Sequence, residues 1–146
     1  MDISLLTNND DCFILEKISK ELFYKTSQFS FNNFAKAINN KNYLVFLLRE
    51  DSKIIGYVYY SLVLDEAEIY QIGIIKSEQN KKLGEFLLSN SLAILAKKGI
   101  KKVFLDVRSN NIYAIKLYTK EGFKYLYTRK NYYENSVDAL VYEKEL

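Results

Sequence analysis

The stretch Ile72-Gly73-Ile74-Ile75-Lys76-Ser77-Glu78-Gln79-Asn80-Lys81-Lys82-Leu83-Gly84-Glu85-Phe86-Leu87 decides how the chain is read. Its isoleucine-rich start reads as the end of a strand. A polar loop follows and opens directly into an amphipathic helix, Leu83 to Lys98, whose stripe is Leu83, Leu87, Leu88, Leu92 and Leu95 and whose end is Gly99. The first turn of such a helix carries unpaired backbone N–H groups and a partial positive charge, a seat suited to phosphate. Gly84 lets a pyrophosphate approach the backbone, and Lys81 and Lys82 add charge. The competing reading is an ordinary solvated helix start.

Working outward, Tyr43 to Leu48 and Ile54 to Leu64 are rich in β-branched and aromatic residues, with Glu50-Asp51-Ser52-Lys53 as a hairpin turn between them. Another strand runs from Glu66 to Ile75. Upstream the texture is helical. Phe13, Leu15, Ile18, Leu22 and Phe23 mark one apolar face, with capping candidates in Asn8 to Asp11, and Phe31, Phe34, Ala35 and Ile38 mark a second, shorter helix. Downstream come a strand at Lys102 to Val107, a helix at Ile112 to Lys120 closed by Gly122, and strands near Phe123 to Tyr132 and Val137 to Glu143. The expected order is α-α-β-β-β-α-β-α-β-β, an α+β (mixed α/β) fold in which helices flank a mixed sheet.

With 146 residues the chain fits one domain, 1–146, and its 49% apolar content is that of a globular protein. No apolar run approaches the roughly 20 residues of a membrane-spanning helix. Met1-Asp2-Ile3-Ser4 is not a basic segment leading into an apolar one, so the expectation is a cytoplasmic protein with no membrane partner. The single cysteine, Cys12, excludes an internal disulfide and reads as a small buried hydrophobe. The absence of histidine removes every imidazole base and every histidine-ligated metal, so no metal is expected. A net charge of +3 is too small to argue for direct nucleic-acid binding, though it suits a polyanionic ligand.

Two further positions stand out. Asp106, inside the apolar run Val103-Phe104-Leu105-Asp106-Val107-Arg108, must be paired, reach water or sit in a site. The plain alternative is an ion pair with Arg108, two residues on and on the same strand face. Tyr118 lies on the helix that Asn110-Asn111 caps and Gly122 ends. A helical tyrosine is more often a core filler, and this chain has 13 tyrosines.

Together these segments resemble the GCN5-related N-acetyltransferase (GNAT) superfamily over about Tyr43 to Glu143. Gln79 to Gly84 lies on that superfamily's pyrophosphate-loop pattern, Gln/Arg-x-x-Gly-x-Gly/Ala. Within it the chain is most similar to the bacterial ribosomal-protein-alanine N-acetyltransferases. The likeness rests on Asp65-Glu66-Ala67, Leu105-Asp106-Val107-Arg108, Asn110-Asn111, Ala114 to Tyr118, Gly122-Phe123 and Lys130-Asn131-Tyr132-Tyr133 followed by Asp138-Ala139. Two departures stand out. Lys82 replaces the loop's first glycine, where the backbone would have less freedom to wrap a pyrophosphate. Asp106 replaces a glutamate one methylene longer, which favours a proton relay through an ordered water.

The resemblance implies a twisted, mostly antiparallel central sheet and acetyl transfer from acetyl-CoA to an amine by direct attack on the thioester. An α-amine of pKa about 8 is mostly protonated at neutral pH, so a base is needed. By this likeness Asp106 is the base and Tyr118 the acid at the sulfur. The Ile72, Gly73 and Ile74 backbone would take the pantetheine arm as an added strand. Gln79, Asn80, Lys81, Lys82, Leu83, Gly84 and Glu85 would take the pyrophosphate, and Asn111 and Tyr118 would also touch the cosubstrate. Glu68 and Tyr70, on the strand face of Ile72, are reserve bases and, with Arg108 and Tyr132, the expected acceptor contacts. The acceptor expected is a protein N-terminus, with a small-subunit ribosomal protein as a candidate and the enzyme a monomer or weak dimer. A small amine, a lysine side chain, or a non-catalytic module binding acetyl-CoA or RNA are the alternatives.

Overall fold

The computed structural model describes residues 1–146. Seven strands form one sheet in the order β1-β2-β3-β4-β5-β7-β6, with β1 Asp2–Leu5, β2 Tyr43–Glu50, β3 Lys53–Val63, β4 Glu66–Ile74, β5 Lys102–Arg108, β6 Lys124–Arg129 and β7 Ala139–Glu145. Only the central β4–β5 pair is parallel; every other neighbour is antiparallel. Four helices complete the fold: α1 Asn9–Leu22, α2 Phe31–Ile38, α3 Leu83–Lys97 and α4 Ile112–Lys120. No helix is long and apolar enough to cross a membrane.

The expected element order holds from α1 onward, but a strand precedes it. β1 pairs along β2 with Ile3 packed against the core, and its polar–apolar alternation, Asp2-Ile3-Ser4-Leu5, is too short to have marked it as a strand. The hairpin between β2 and β3 turns on Asp51 and Ser52, at φ 49° and 68°. Two residues with positive φ match the turn to the right-handed twist of the strands.

The sheet separates two apolar layers. On one face α3 lays Leu87, Leu88, Leu92 and Leu95, and α4 lays Tyr118, against Val58, Ile69, Leu105 and Val107. Each fully buried leucine contributes about 2 kcal/mol relative to exposure. On the other face Cys12, Leu15 and Ile18 of α1 and Phe34 of α2 pack on Val45, Leu47, Tyr57 and Tyr59. The buried stripe of α1 therefore runs through Cys12 rather than Phe13, which is 62% exposed and lies beside Phe31 with ring centroids 4.4 Å apart. Ser30 caps α2 reciprocally with Asn33, which fixes where that helix begins.

Candidate active site

β4 and β5 pair only from Glu66↔Lys102 to Ile69↔Leu105. Beyond that point each strand stays with its outer neighbour, β4 with β3 and β5 with β7, and the two part. The parting starts at a bulge. Tyr59 faces Gln71 and Tyr60 faces Ile69, so Tyr70 has no partner. An inserted residue bends a strand and turns its later side chains over. Glu68 and Tyr70 accordingly share a face, with Tyr70 stacked on Tyr59 at 5.9 Å, while Ile72 lies on the opposite face, against the α3 and α4 core. The single face expected for Glu68, Tyr70 and Ile72 is thus broken by the bulge. Gly73 faces α1, where a Cβ would come within 2.8 Å of Leu22 Cδ1.

The wedge between the strands is a cavity of about 350 Å³. Ile72, Gly73 and Ile74 of β4 line it, as do Asp106 and Arg108 of β5 and Asn111 and Tyr118 of α4. Beyond Ile69 the β4 edge facing β5 has no strand partner, so its backbone groups are open to an extended ligand.

Asp106 and Tyr118 reach the wedge from opposite faces of β5. Alternation puts Leu105 and Val107 into the core and Asp106 on the other face. Burial pushes the Asp106 carboxyl above the ordinary carboxylate range, and Arg129, whose Nε lies 3.9 Å from Oδ1, opposes the shift. The expected alternative partner, Arg108, is bonded elsewhere, to Glu134 and to Ser27. Glu68 is raised by burial and then by the Asp106 charge. Tyr118 is buried, with its ring 5.6 Å from Phe123, and its hydroxyl makes no hydrogen bond within the chain. Burial holds this phenol protonated, well above the usual tyrosine range. Asn111 caps α4 by accepting from the Ala114 N–H at 3.1 Å.

At the far end of the wedge, the loop before α3 turns on two residues with positive φ, Asn80 at 66° and Lys82 at 62°. Lys82 stands at the N-cap and gives no side-chain cap, so the first N–H groups of α3 have no protein acceptor. Lys82 thus takes a left-handed conformation although it is not a glycine. The side chains divide differently from the expectation. Gln79 donates to the Ile74 carbonyl at 2.8 Å and ties the loop to β4. Lys81 pairs with Glu78 at 2.6 Å, and Glu85 with Lys120 at 3.1 Å. Gln79, Asn80, Leu83 and Gly84 line the cavity, whereas Lys81, Lys82 and Glu85 do not. Gly84 is buried, yet a Cβ there would meet nothing nearer than Leu117 at 3.7 Å. The space above it belongs to the cavity, as a phosphate-bearing ligand lying against an uncapped helix start requires.

Residues 9–123 match the sequence model of the acetyltransferase (GNAT) family. The chain belongs to this family. It is 36% identical over 104 residues to the ribosomal protein bS18-alanine N-acetyltransferase of Escherichia coli K12, covering 69% of this chain and 70% of the relative. The crystal structure of the ribosomal-protein-S18-alanine N-acetyltransferase from Escherichia coli superposes with a TM-score of 0.87 at 30% identity, over 99% of this chain and 92% of that one. Arabidopsis thaliana NAA60, solved in complex with acetyl-CoA, shares the fold at a TM-score of 0.84 and 17% identity, over 99% of both chains. The GNAT resemblance, the mixed sheet and the assignment as an N-acetyltransferase all stand.

Within this GNAT site, several wall residues were not expected from the sequence. Tyr132 is 55% exposed and outside the wedge, while its neighbour Tyr133 lines it. Asn131, just before the two rings, has a left-handed backbone at φ 53°. Tyr24 and Ser27, just after α1, form the roof. The only sequence signal for Tyr133 was the pair Tyr132-Tyr133, which does not say which ring turns in. Gln71 is also part of the wall; it is buried, and its Oε1 accepts from Tyr57 Oη at 2.5 Å.

The two ends of the loop give opposed expectations. Gly84→Ala should leave stability unchanged or raise it by up to about 1 kcal/mol, since alanine is the better helix former and the methyl has room. The same methyl intrudes where the ligand would lie, so acetyl-CoA affinity by calorimetry should fall; undiminished affinity would remove Gly84 from the binding surface. Lys82→Gly relieves a left-handed lysine and should raise stability in urea by up to about 1 kcal/mol. A loss of stability would mean that Lys82 carries no strain.

Proposed function

We propose that this enzyme transfers the acetyl group of acetyl-CoA to the N-terminal α-amine of a protein, with a ribosomal protein of the bS18 class as acceptor. The observation that carries the proposal is one wedge in which a carboxylate and a free phenol approach from opposite faces of β5, beside an open strand edge that leads to an uncapped helix start. The resemblance to enzymes named for bS18-alanine acetylation supports the choice of acceptor.

Acetyl-CoA supplies an activated acyl group and a thiolate leaving group. The open edge of β4 would hold its arm, with the α3 N–H groups and the exposed backbone at Gly84 facing the phosphates. Asp106 is placed to take the proton of the acceptor amine, directly or through a water, and its raised pKa brings it nearer that task than an ordinary aspartate. Glu68 adds negative potential on the same face, which draws in a protonated amine. Tyr118, kept protonated by burial and free of internal bonds, can donate to the departing sulfur.

The direct test is thiol release from acetyl-CoA against three peptides: an Ala-initiated one, the same peptide with a blocked N-terminus, and a blocked one carrying an internal lysine. Release with the first alone supports the proposal. Release with the lysine peptide, or only with small amines, would overturn the choice of acceptor.

Asp106→Asn should lower turnover by roughly 10²-fold or more, the scale of a general base. Its effect on stability should have the opposite sign. A carboxyl whose folded pKa lies above its unfolded one favours the fold fully below the unfolded value and loses that contribution as pH rises through the folded value. At pH 7 Asp106→Asn should therefore be at least as stable as the parent, with the gap closing in acid, where both side chains are neutral. A destabilised variant at pH 7 would make the carboxylate a structural partner of Arg129.

Tyr118→Phe deletes only an unbonded hydroxyl, so the ring should keep its packing and Tm should stay within a few degrees. Turnover at saturating acetyl-CoA should fall about tenfold to a hundredfold. Unchanged turnover with chemistry limiting would leave Tyr118 a packing residue.

A further inference from the structure

Arg108 is held by two aromatic rings and an ion pair. Its guanidinium lies between two aromatic rings, with Cζ 4.2 Å from the centroids of both Tyr24 and Tyr133. Nη2 donates to Glu134 and reaches Ser27 Oγ at 3.4 Å. The second oxygen of Glu134 accepts from Thr26 Oγ1 at 2.8 Å. The side chain is only 13% exposed. Nε and Nη1 make no hydrogen bond within the chain and the residue lines the wedge, so the side chain that the sequence put among the acceptor contacts is also a fastening between elements.

Its four partners come from two segments with no core of their own. Tyr24 to Ser27 belong to the connection between α1 and α2, whose short helical turn buries no residue. Tyr133 and Glu134 belong to the connection between β6 and β7, which also buries none and carries Asn135 and Ser136 at positive φ. Both segments border the wedge, and Tyr133 lines it together with Asp106 and Tyr118. Polar bonds and ring stacking therefore do what packing cannot do here.

We propose that Arg108, latched to Glu134, is the positioning residue of the acceptor side. It sets Tyr133 and the Tyr24–Ser27 segment over the wedge and so governs binding of the acceptor but not of acetyl-CoA. The inference rests on the reading of the wedge as the acetyl-transfer site. Arg108 sits at the last residue of β5, and the cosubstrate's open strand edge is on β4, so the latch and that edge are separate parts of the wall. The planar guanidinium is essential to the arrangement, because a lysine keeps the charge but loses the two-sided stacking. Glu134 is held below the usual carboxylate range by its own backbone N–H, then by Thr26 and Arg108, so the ion pair persists at every pH at which the enzyme would act.

The test is Arg108→Lys and Glu134→Gln, singly and together, in the full chain. Each should raise KM for an Ala-initiated peptide by about tenfold, while the Kd of acetyl-CoA, read by calorimetry without peptide, stays within about twofold. The double variant should be little worse than either single one, because both break the same latch. Hydrogen exchange should quicken at residues 24–28 and 131–137 and nowhere else. An unchanged peptide KM, or an acetyl-CoA Kd that moves as much as the KM, overturns the latch. If the parent acetylates no peptide, the proposed function fails, and exchange alone judges the latch. Faster exchange confined to those two segments supports it, and unchanged or global exchange overturns it.

Discussion

The parting of β4 and β5 is the constraint on which the rest of the structure depends. Two parallel strands that twist together would normally stay paired, yet here each holds to its own antiparallel neighbour and the shared ladder ends at Ile69 and Leu105. The bulge at Tyr70 bends β4 away, and the backbone left open would be costly if sealed inside a core. The fold keeps that edge accessible through the wedge. An opening in mid-sheet also lets side chains from both faces meet at one place, which an intact sheet forbids. Asp106 comes from the α1 side and Tyr118 from the α3 and α4 side, so the proposed proton acceptor and donor do not compete for the same space.

Placement of these two groups follows from two periods. The strand period of two sends Leu105 and Val107 into the core and Asp106 the other way, so no local rearrangement can bury the carboxylate without exposing the leucine and valine. The helix then starts after a three-residue connection, fixed by the Asn111 cap, and its buried face carries Tyr118 back beneath the wedge. Rigid elements on both sides hold the pair, while the roof is built from loops. Such a division suits a site with fixed chemistry and an adaptable entrance.

Periodicity made six of the seven strands, the helices, their caps and the glycines at Gly99 and Gly122 legible in the sequence, as well as the anomaly of Asp106 in an apolar strand. Other features had no such signal. The bulge at Tyr70 changes no residue type, so alternation alone put Ile72 on the wrong face. Lys82 adopts a conformation that its side chain disfavours, and composition could not announce it. The partner of Arg108 lies 26 residues away, in a turn with no pattern, and a near neighbour, Asp106, offered a simpler ion pair. Tyr133 was hidden behind Tyr132 because two adjacent identical rings carry no local signal of which one turns inward.

The bulge also anchors the roof it makes necessary. By doubling residues on one face, it turns Gln71 inward among Tyr57 and Ser19, where the amide oxygen accepts from both hydroxyls, at 2.5 and 3.3 Å. The amide nitrogen then donates to the Ser27 carbonyl at 2.5 Å, while Ser19 Oγ accepts from the Phe29 N–H at 2.8 Å. A buried amide so nearly satisfied is rigid, because loss of any one bond leaves a polar group unpaired in the core. The connection after α1 is thus pinned from beneath by β4 through Gln71 and from the side by β5 through Arg108. The same inserted residue that opens the strand edge supplies half the fastening for the segment above it, so neither the wedge nor its roof could be kept if Gln71 returned to regular register.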